Sequence, residues 1–167
     1  MSRTKVRQAL FQLARDKLLT LVPGRGAFVA QPSVREAREL FEARRIIERA
    51  LIERFVRAAT PESLARLRAH LERERRAIQE DDGRARNRLL GEFHALIAEM
   101  AGNAVLTDML GELLSRTSLV TLLYQPMRAA SKSWEEHCEV VEAVERGDAE
   151  RAVALMLAHI ENVERGL

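Results

Sequence analysis

From Val34 to the end of the chain, apolar residues recur at three- and four-residue steps, the period of helices that turn one face to a core. Ala37, Leu40, Phe41, Ile47, Leu51 and Phe55 mark a helix over 34–59. Its start is signalled by Ser33-Val34-Arg35-Glu36, a capping box in which serine and glutamate side chains satisfy each other's backbone N–H. Thr60-Pro61 gives an N-cap and a proline at the first helical position, followed by Leu64, Leu67, Leu71 and Ile78 on one face and a stop at Asp81-Asp82-Gly83. Leu90, Phe93, Ile97 and Met100 define a third helix ending near Gly102-Asn103, and a fourth runs from about Ala104 through Leu106, Met109, Leu110, Leu113 and Leu114. Ser133-Trp134-Glu135-Glu136 reads as another capping box, and Gly147-Asp148 as the end of one helix and the cap of the last. Six or so amphipathic helices joined by short loops, with almost no strand signal, predict an all-α antiparallel bundle over 33–167.

The first 32 residues follow another pattern. Ser2 is placed to cap a short helix with Val6, Leu10 and Leu13 on one face and Arg3, Thr4 and Arg7 around its N-terminal end. After Asp16-Lys17 the helical period stops. Leu19 and Leu21, then Ala27, Phe28 and Val29, flank Pro23-Gly24-Arg25-Gly26, which predicts a hairpin tipped by an arginine. Residues 30–33 (Ala30-Gln31-Pro32-Ser33) form a short linker, which divides the chain into 1–32 and 33–167. Residues 1–32 hold six basic side chains and one acidic, a net +5, so the total of +2 leaves −3 for the remainder. A basic helix end and hairpin tip suit DNA phosphates, with Thr4 and some arginines positioning and Arg3 and Arg7 reaching base edges. From composition alone, the same residues also suit a solvated helix face.

At 47% hydrophobic and 31% charged residues, 167 residues suffice for one substantial core. The lone cysteine, Cys138, excludes an internal disulfide framework, and no run approaches the roughly 18 apolar residues of a membrane span. Met1 is followed by a charged segment rather than a secretory leader, so a cytoplasmic protein without a membrane partner is expected.

Candidate chemistry lies in the histidines. His94 shares a stripe with Leu90 and Ile97, His137 a face with Val140, Val141 and Val144, and His159 follows Val153 and Leu155-Met156. Three imidazoles from three helices can meet inside a bundle, and three neutral imidazoles plus water make a competent zinc or nickel site. Their spacing carries no metal signature by itself, and a histidine on an apolar face is more often a core residue with satisfied hydrogen bonds than a ligand. His70 fits no apolar face and is expected at the surface. Zinc with an open position could also activate water for hydrolysis. No carboxylate stands at helical spacing beside His94 as a general base, however, and the chain has neither a glycine-rich phosphate loop nor a Ser-His-Asp pattern, so no enzyme is expected.

Ser2-Arg3-Thr4-Lys5-Val6-Arg7-Gln8-Ala9-Leu10 and Val22-Pro23-Gly24-Arg25-Gly26-Ala27-Phe28-Val29 resemble the recognition helix and wing of GntR-type transcriptional regulators. That family typically reads S-R-T-P-V-R-E-A-L and V-P-x-R-G-A-F-V, so Lys5 replaces a proline and Gln8 a glutamate. Residues 34–167 resemble the all-helical FCD effector domain of the FadR subgroup, through Glu42-Ala43-Arg44 with Glu48, Phe93-His94 with Gly102-Asn103, Glu136-His137 with Ala143 and Gly147-Asp148, and Met156 with His159. The resemblance implies a partial winged helix-turn-helix before the bundle, with Ser2, Arg3, Thr4, Arg7, Arg25 and Gly26 at DNA. It implies His94, His137 and His159 as ligands of a divalent metal, zinc or nickel, and Arg44 and Asn103 at a small carboxylate effector. The family's aspartate ligand, four residues before the first histidine, is Leu90 here. Glu92 lies roughly 160° around the helix from His94, and Asn87 about 10 Å along its axis, so neither replaces the aspartate. Water or the effector carboxylate is expected to complete the metal shell. Arg44 has an alternative partner in Glu48, four residues on.

The implied function is a homodimeric repressor that reads a double-stranded DNA operator and responds to the bound acid. The family's DNA-binding domain has roughly two more helices ahead of the recognition helix. Sequence-specific binding by the chain as given is therefore expected to be weak, and the alternative is a ligand-sensing dimerisation domain that has lost its DNA reader.

Overall fold

The computed structural model describes residues 2–124 and 130–166. Helix α1 (Arg3–Arg15) is followed by a hairpin of β1 (Leu19–Val22) and β2 (Gly26–Val29). Six helices then form the bundle: α2 (Val34–Ala58), α3 (Pro61–Gln79), α4 (Gly83–Met100), α5 (Ala104–Tyr124), α6 (Ala130–Glu145) and α7 (Ala149–Arg165).

The helix starts follow the expected capping chemistry. Ser33 accepts from Glu36 N at 3.2 Å while Glu36 accepts from Ser33 N at 2.8 Å, a complete capping box at the head of α2. Thr60 and Ser63 exchange the same pair of bonds ahead of Pro61, and Asp82 and Asp148 cap α4 and α7. One start differs from the sequence reading. Ser133 lies inside α6 rather than at its head, and the neighbouring Trp134 is held by packing, its indole N–H donating to the Leu71 carbonyl at 3.1 Å.

Helix α2 is the centre of the bundle, packed against α4, α5 and α7, while α3 lies on α4 and α6, and α6 on α7. Phe41, Leu51, Ile52 and Phe55 of α2 join Leu67, Phe93, Leu110, Met156 and Ile160 in one apolar core. Burying each such side chain is worth about 1.5–3 kcal/mol, the main force that holds six helices in register.

The N-terminal unit is formed as the pattern predicts, with Leu19 opposite Val29 and Val22 opposite Gly26. Pro23 and Gly24 occupy the two central positions of a turn closed by Arg25 N to Val22 O at 3.0 Å, and Gly24 takes the positive φ of +73° that a type II turn requires at its third residue. Helix α1 packs on β1, yet its apolar side chains Val6, Phe11 and Leu13 stay exposed. The linker is tied to the bundle by the Tyr124 hydroxyl at the end of α5, which donates to the Pro32 carbonyl at 3.1 Å.

Candidate metal centre and nucleic-acid interface

The three histidines singled out in the sequence come together. His94 on α4, His137 on α6 and His159 on α7 are all buried, and one donor nitrogen from each ring lies within 4.8 Å of the other two. The packing is aromatic: Phe93 stacks on His137 with centroids 3.8 Å apart, and the His94 and His159 rings lie 5.2 Å apart, nearly parallel.

Each imidazole has its own carboxylate. His94 Nδ1 donates to Glu48 Oε2 at 2.5 Å, His137 Nδ1 to Glu74 Oε2 at 3.0 Å and His159 Nδ1 to Glu136 Oε2 at 2.7 Å. The glutamates are themselves held. Arg44 Nε donates to Glu48 at 2.7 Å, His70 Nε2 to Glu74 at 3.1 Å, and the Asn162 amide to Glu136 at 2.6 Å. A carboxylate on Nδ1 fixes the proton there and leaves Nε2 as a lone-pair donor, the outer-shell arrangement that orients metal-binding imidazoles.

Glu48 illustrates the electrostatics. Burial alone would push its carboxyl up, but the Arg44 guanidinium and His94 outweigh this and hold it down to about 2. Glu74 and Glu136 are also lowered despite burial, through their bonds to His137 and His70 and to His159. The imidazoles move down as well: burial, against the pull of their glutamates, takes His94 and His159 to about 4 and lowers His137. The site is thus three neutral rings backed by three ionised carboxylates.

This tautomer assignment creates a conflict that a cation resolves. His137 Nε2 and His159 Nε2 face each other at 3.3 Å, and with both protons on Nδ1 the contact sets lone pair against lone pair. Two nitrogens bound about 2.0–2.1 Å from one tetrahedral ion sit about 3.3–3.4 Å apart, so the spacing fits a shared divalent metal. Cys138, next to His137, offers no thiolate, because burial and surrounding carboxylates raise its thiol to about 11.

His70 is not at the surface, as the sequence pattern suggested, but 1% exposed. It sits among polar partners rather than on an apolar stripe: its Nε2 donates to Glu74 and to the Leu89 carbonyl at 3.0 Å, and its Nδ1 accepts from Arg73 Nη2 at 2.8 Å. Arg44 is buried beside the cluster, with Glu48 on Nε and the Thr117 hydroxyl 3.3 Å from Nη1. Asn103 lies apart from the histidines. It caps α5, its side-chain oxygen accepting from Leu106 N at 3.2 Å. Leu90 brings no donor one turn before His94, and Glu92 pairs outward with Arg88.

The FCD domain model matches residues 39–162 of this chain, about three quarters of its length. The chain belongs to the FCD family. It is a GntR-type transcriptional regulator, and its family and relatives are regulators rather than enzymes. It is 28% identical to the HTH-type transcriptional regulator LutR of Bacillus subtilis over 98% of this chain and 83% of that protein. Similarity to the Uxu operon regulator of Haemophilus influenzae is 27% over 98% of this chain and 67% of that protein. Among solved structures, E. coli McbR/YncC shares the fold with a TM-score of 0.86 at 21% identity, covering 97% of this chain and 82% of that one. The metal-free FCD domain of TM0439 matches with a TM-score of 0.64 at 21% identity over 82% of this chain and 94% of that one. The metal-capable interior of an FCD bundle is represented here by the three-histidine cluster.

The other end of this FCD regulator carries the basic residues of the sequence reading. Arg3, Thr4 and Arg7 are exposed on the first turns of α1. Ser2 is partly engaged as the cap, accepting from Lys5 N at 3.3 Å. Arg7 lies over Phe11 and Arg25 over Phe28, each guanidinium 5.6–5.7 Å from the ring, which braces both at the surface. Gly26, with φ +102°, carries the chain out of the wing tip.

Proposed function

We propose that this chain is a homodimeric, cytoplasmic repressor whose bundle holds a divalent metal, zinc or nickel, on His94, His137 and His159 and binds a small carboxylate effector there. The observation that carries the reading is the convergence of three glutamate-oriented imidazoles, two of them with facing lone pairs at 3.3 Å. When bound, the metal supplies a fixed positive charge with positions open to water or a carboxylate. Leu90 leaves those positions unfilled by the chain, so the outer glutamates rather than an inner carboxylate balance the charge.

Arg44 gives the site its second anchor for an acid. Its guanidinium is a bidentate carboxylate partner by geometry, and its contact to Thr117 is the longer of its two side-chain bonds. An effector that draws Nη1 away from Thr117 releases the middle of α5. The same helix holds the linker through Tyr124 and Pro32. Differential binding of the acid to two placements of α5 thereby shifts the placement of α1 and the wing. Asn103 takes part only through the start of α5. In this reading residues 1–32 are the DNA-contacting unit, with Arg3, Thr4, Arg7, Arg25 and Gly26 toward a double-stranded operator and Ser2 capping the helix, and residues 33–167 are the sensor. No helix among the described residues is long and apolar enough to cross a membrane.

The test is thermal denaturation of metal-loaded protein against a panel of small mono- and dicarboxylates. One class of acid should raise the melting temperature of the wild type and leave Arg44→Met unmoved. A panel that shifts both alike would separate the effector from Arg44.

A further inference from the structure

Helix α5 has two unlike faces. Leu110, Leu114, Thr117 and Val120 are buried against the bundle. On the opposite side Val105, Met109, Glu112, Arg116, Leu119 and Leu123 follow one another at steps of four, three, four, three and four, a single stripe along the helix. Four of its six residues are open to solvent, Val105 at 69%, Met109 at 49% and Leu123 at 41% together with Glu112, while Arg116 and Leu119 are half-buried. Only Asp108, Glu112 and Arg116 carry charge in the whole 21-residue helix. A helix apolar on nearly all sides is one that is covered on nearly all sides.

The order of residues along the stripe says what covers it. Val105 and Leu123 each stand nine residues from Leu114, Met109 and Leu119 five, and Glu112 and Arg116 two. The stripe is therefore its own complement when run backwards. A second α5 laid antiparallel about a two-fold axis at Leu114 sets Val105 against the partner's Leu123, Met109 against the partner's Leu119, and Glu112 against the partner's Arg116. Alternating steps of four and three are the spacing of a helix–helix seam, and a two-fold interface requires this self-complementarity.

We propose that α5 is the seam at which this chain pairs with a second copy, antiparallel, with two symmetric Glu112–Arg116 contacts at the axis and apolar pairs outside them. The inference rests on the homodimer of the proposed function and names its surface. The seam runs back to back with Thr117 and ends beside Tyr124, so the two copies of the linker are tied to the interface itself.

Sedimentation velocity on the full chain decides whether a dimer exists. A wild-type monomer throughout the micromolar range would end both the homodimer and the seam. With a dimer in hand, Glu112→Arg and Arg116→Glu singly place like charges across the axis and should weaken it by roughly tenfold or more, while the double swap restores it. In a Cys138→Ser background, an equimolar mixture of Val105→Cys and Leu123→Cys chains should form a crosslinked dimer under mild oxidation, and neither variant alone should do so. A dimer that ignores both charge reversals, or that crosslinks Val105→Cys to itself, would place the interface elsewhere and leave the homodimer standing.

Discussion

Glu74 accepts from two imidazoles at once, His137 and His70, and so links a residue of the cluster to one outside it. Removing a carboxylate that orients a metal-bound imidazole typically weakens metal by 10–100-fold, and Glu74→Gln is expected to do so without loss of fold, as read by metal titration. The buried imidazoles also set a pH dependence for the metal-free protein. An unfolded histidine titrates near 6.5, whereas His94 and His159 do so at about 4 when folded. Between those values the unfolded chain binds more protons, so the stability that neutral burial contributes is full above pH 6.5 and falls as the pH drops toward 4. Urea titrations of metal-free protein should show this loss between pH 6.5 and 4, and His94→Gln should make it smaller while the His159 contribution remains. The histidine trio was legible in the sequence because each member rides an apolar stripe. Glu74 and His70 were not: they pair with each other at i,i+4, as surface residues of a helix also do, and what buries them is packing against His137 and the Leu89 carbonyl, 63 and 19 residues away, which no local period announces.

At the scale of elements, capping chemistry read from sequence carried most of the fold. Ser33, Thr60, Asp82 and Asp148 all cap the helices they were expected to begin or separate, and Ser33→Ala should cost about 1 kcal/mol of stability in denaturant unfolding. Ser133 shows the limit, since a matching four-residue motif lies inside α6, which already includes Ala130. Helix α5 is the element most directly joined to function. It receives Arg44 at Thr117 and holds Pro32 at Tyr124, seven residues or about 10 Å further along its axis. Tyr124→Phe removes the tie to the linker and leaves the metal cluster untouched. Effector binding should then be unchanged, while the effect of the acid on DNA affinity shrinks, as followed by fluorescence anisotropy.

Over the whole molecule, charge and chemistry are segregated: net +5 in the first 32 residues, net −3 in the rest, and three carboxylate-backed imidazoles in the interior of the bundle. The basic end should show salt-dependent DNA binding, with the slope of affinity against salt reduced by about 1 in Arg25→Ala if that wing arginine meets a phosphate. Everything in the sensor half depends on whether the three imidazoles hold an ion. The decisive measurement is metal content by inductively coupled plasma mass spectrometry after dialysis against zinc or nickel, for the wild type and for His137→Ala. One ion per chain in the wild type and none in the variant is the expected result. A wild type that retains no metal, or a variant that retains as much, would contradict the account.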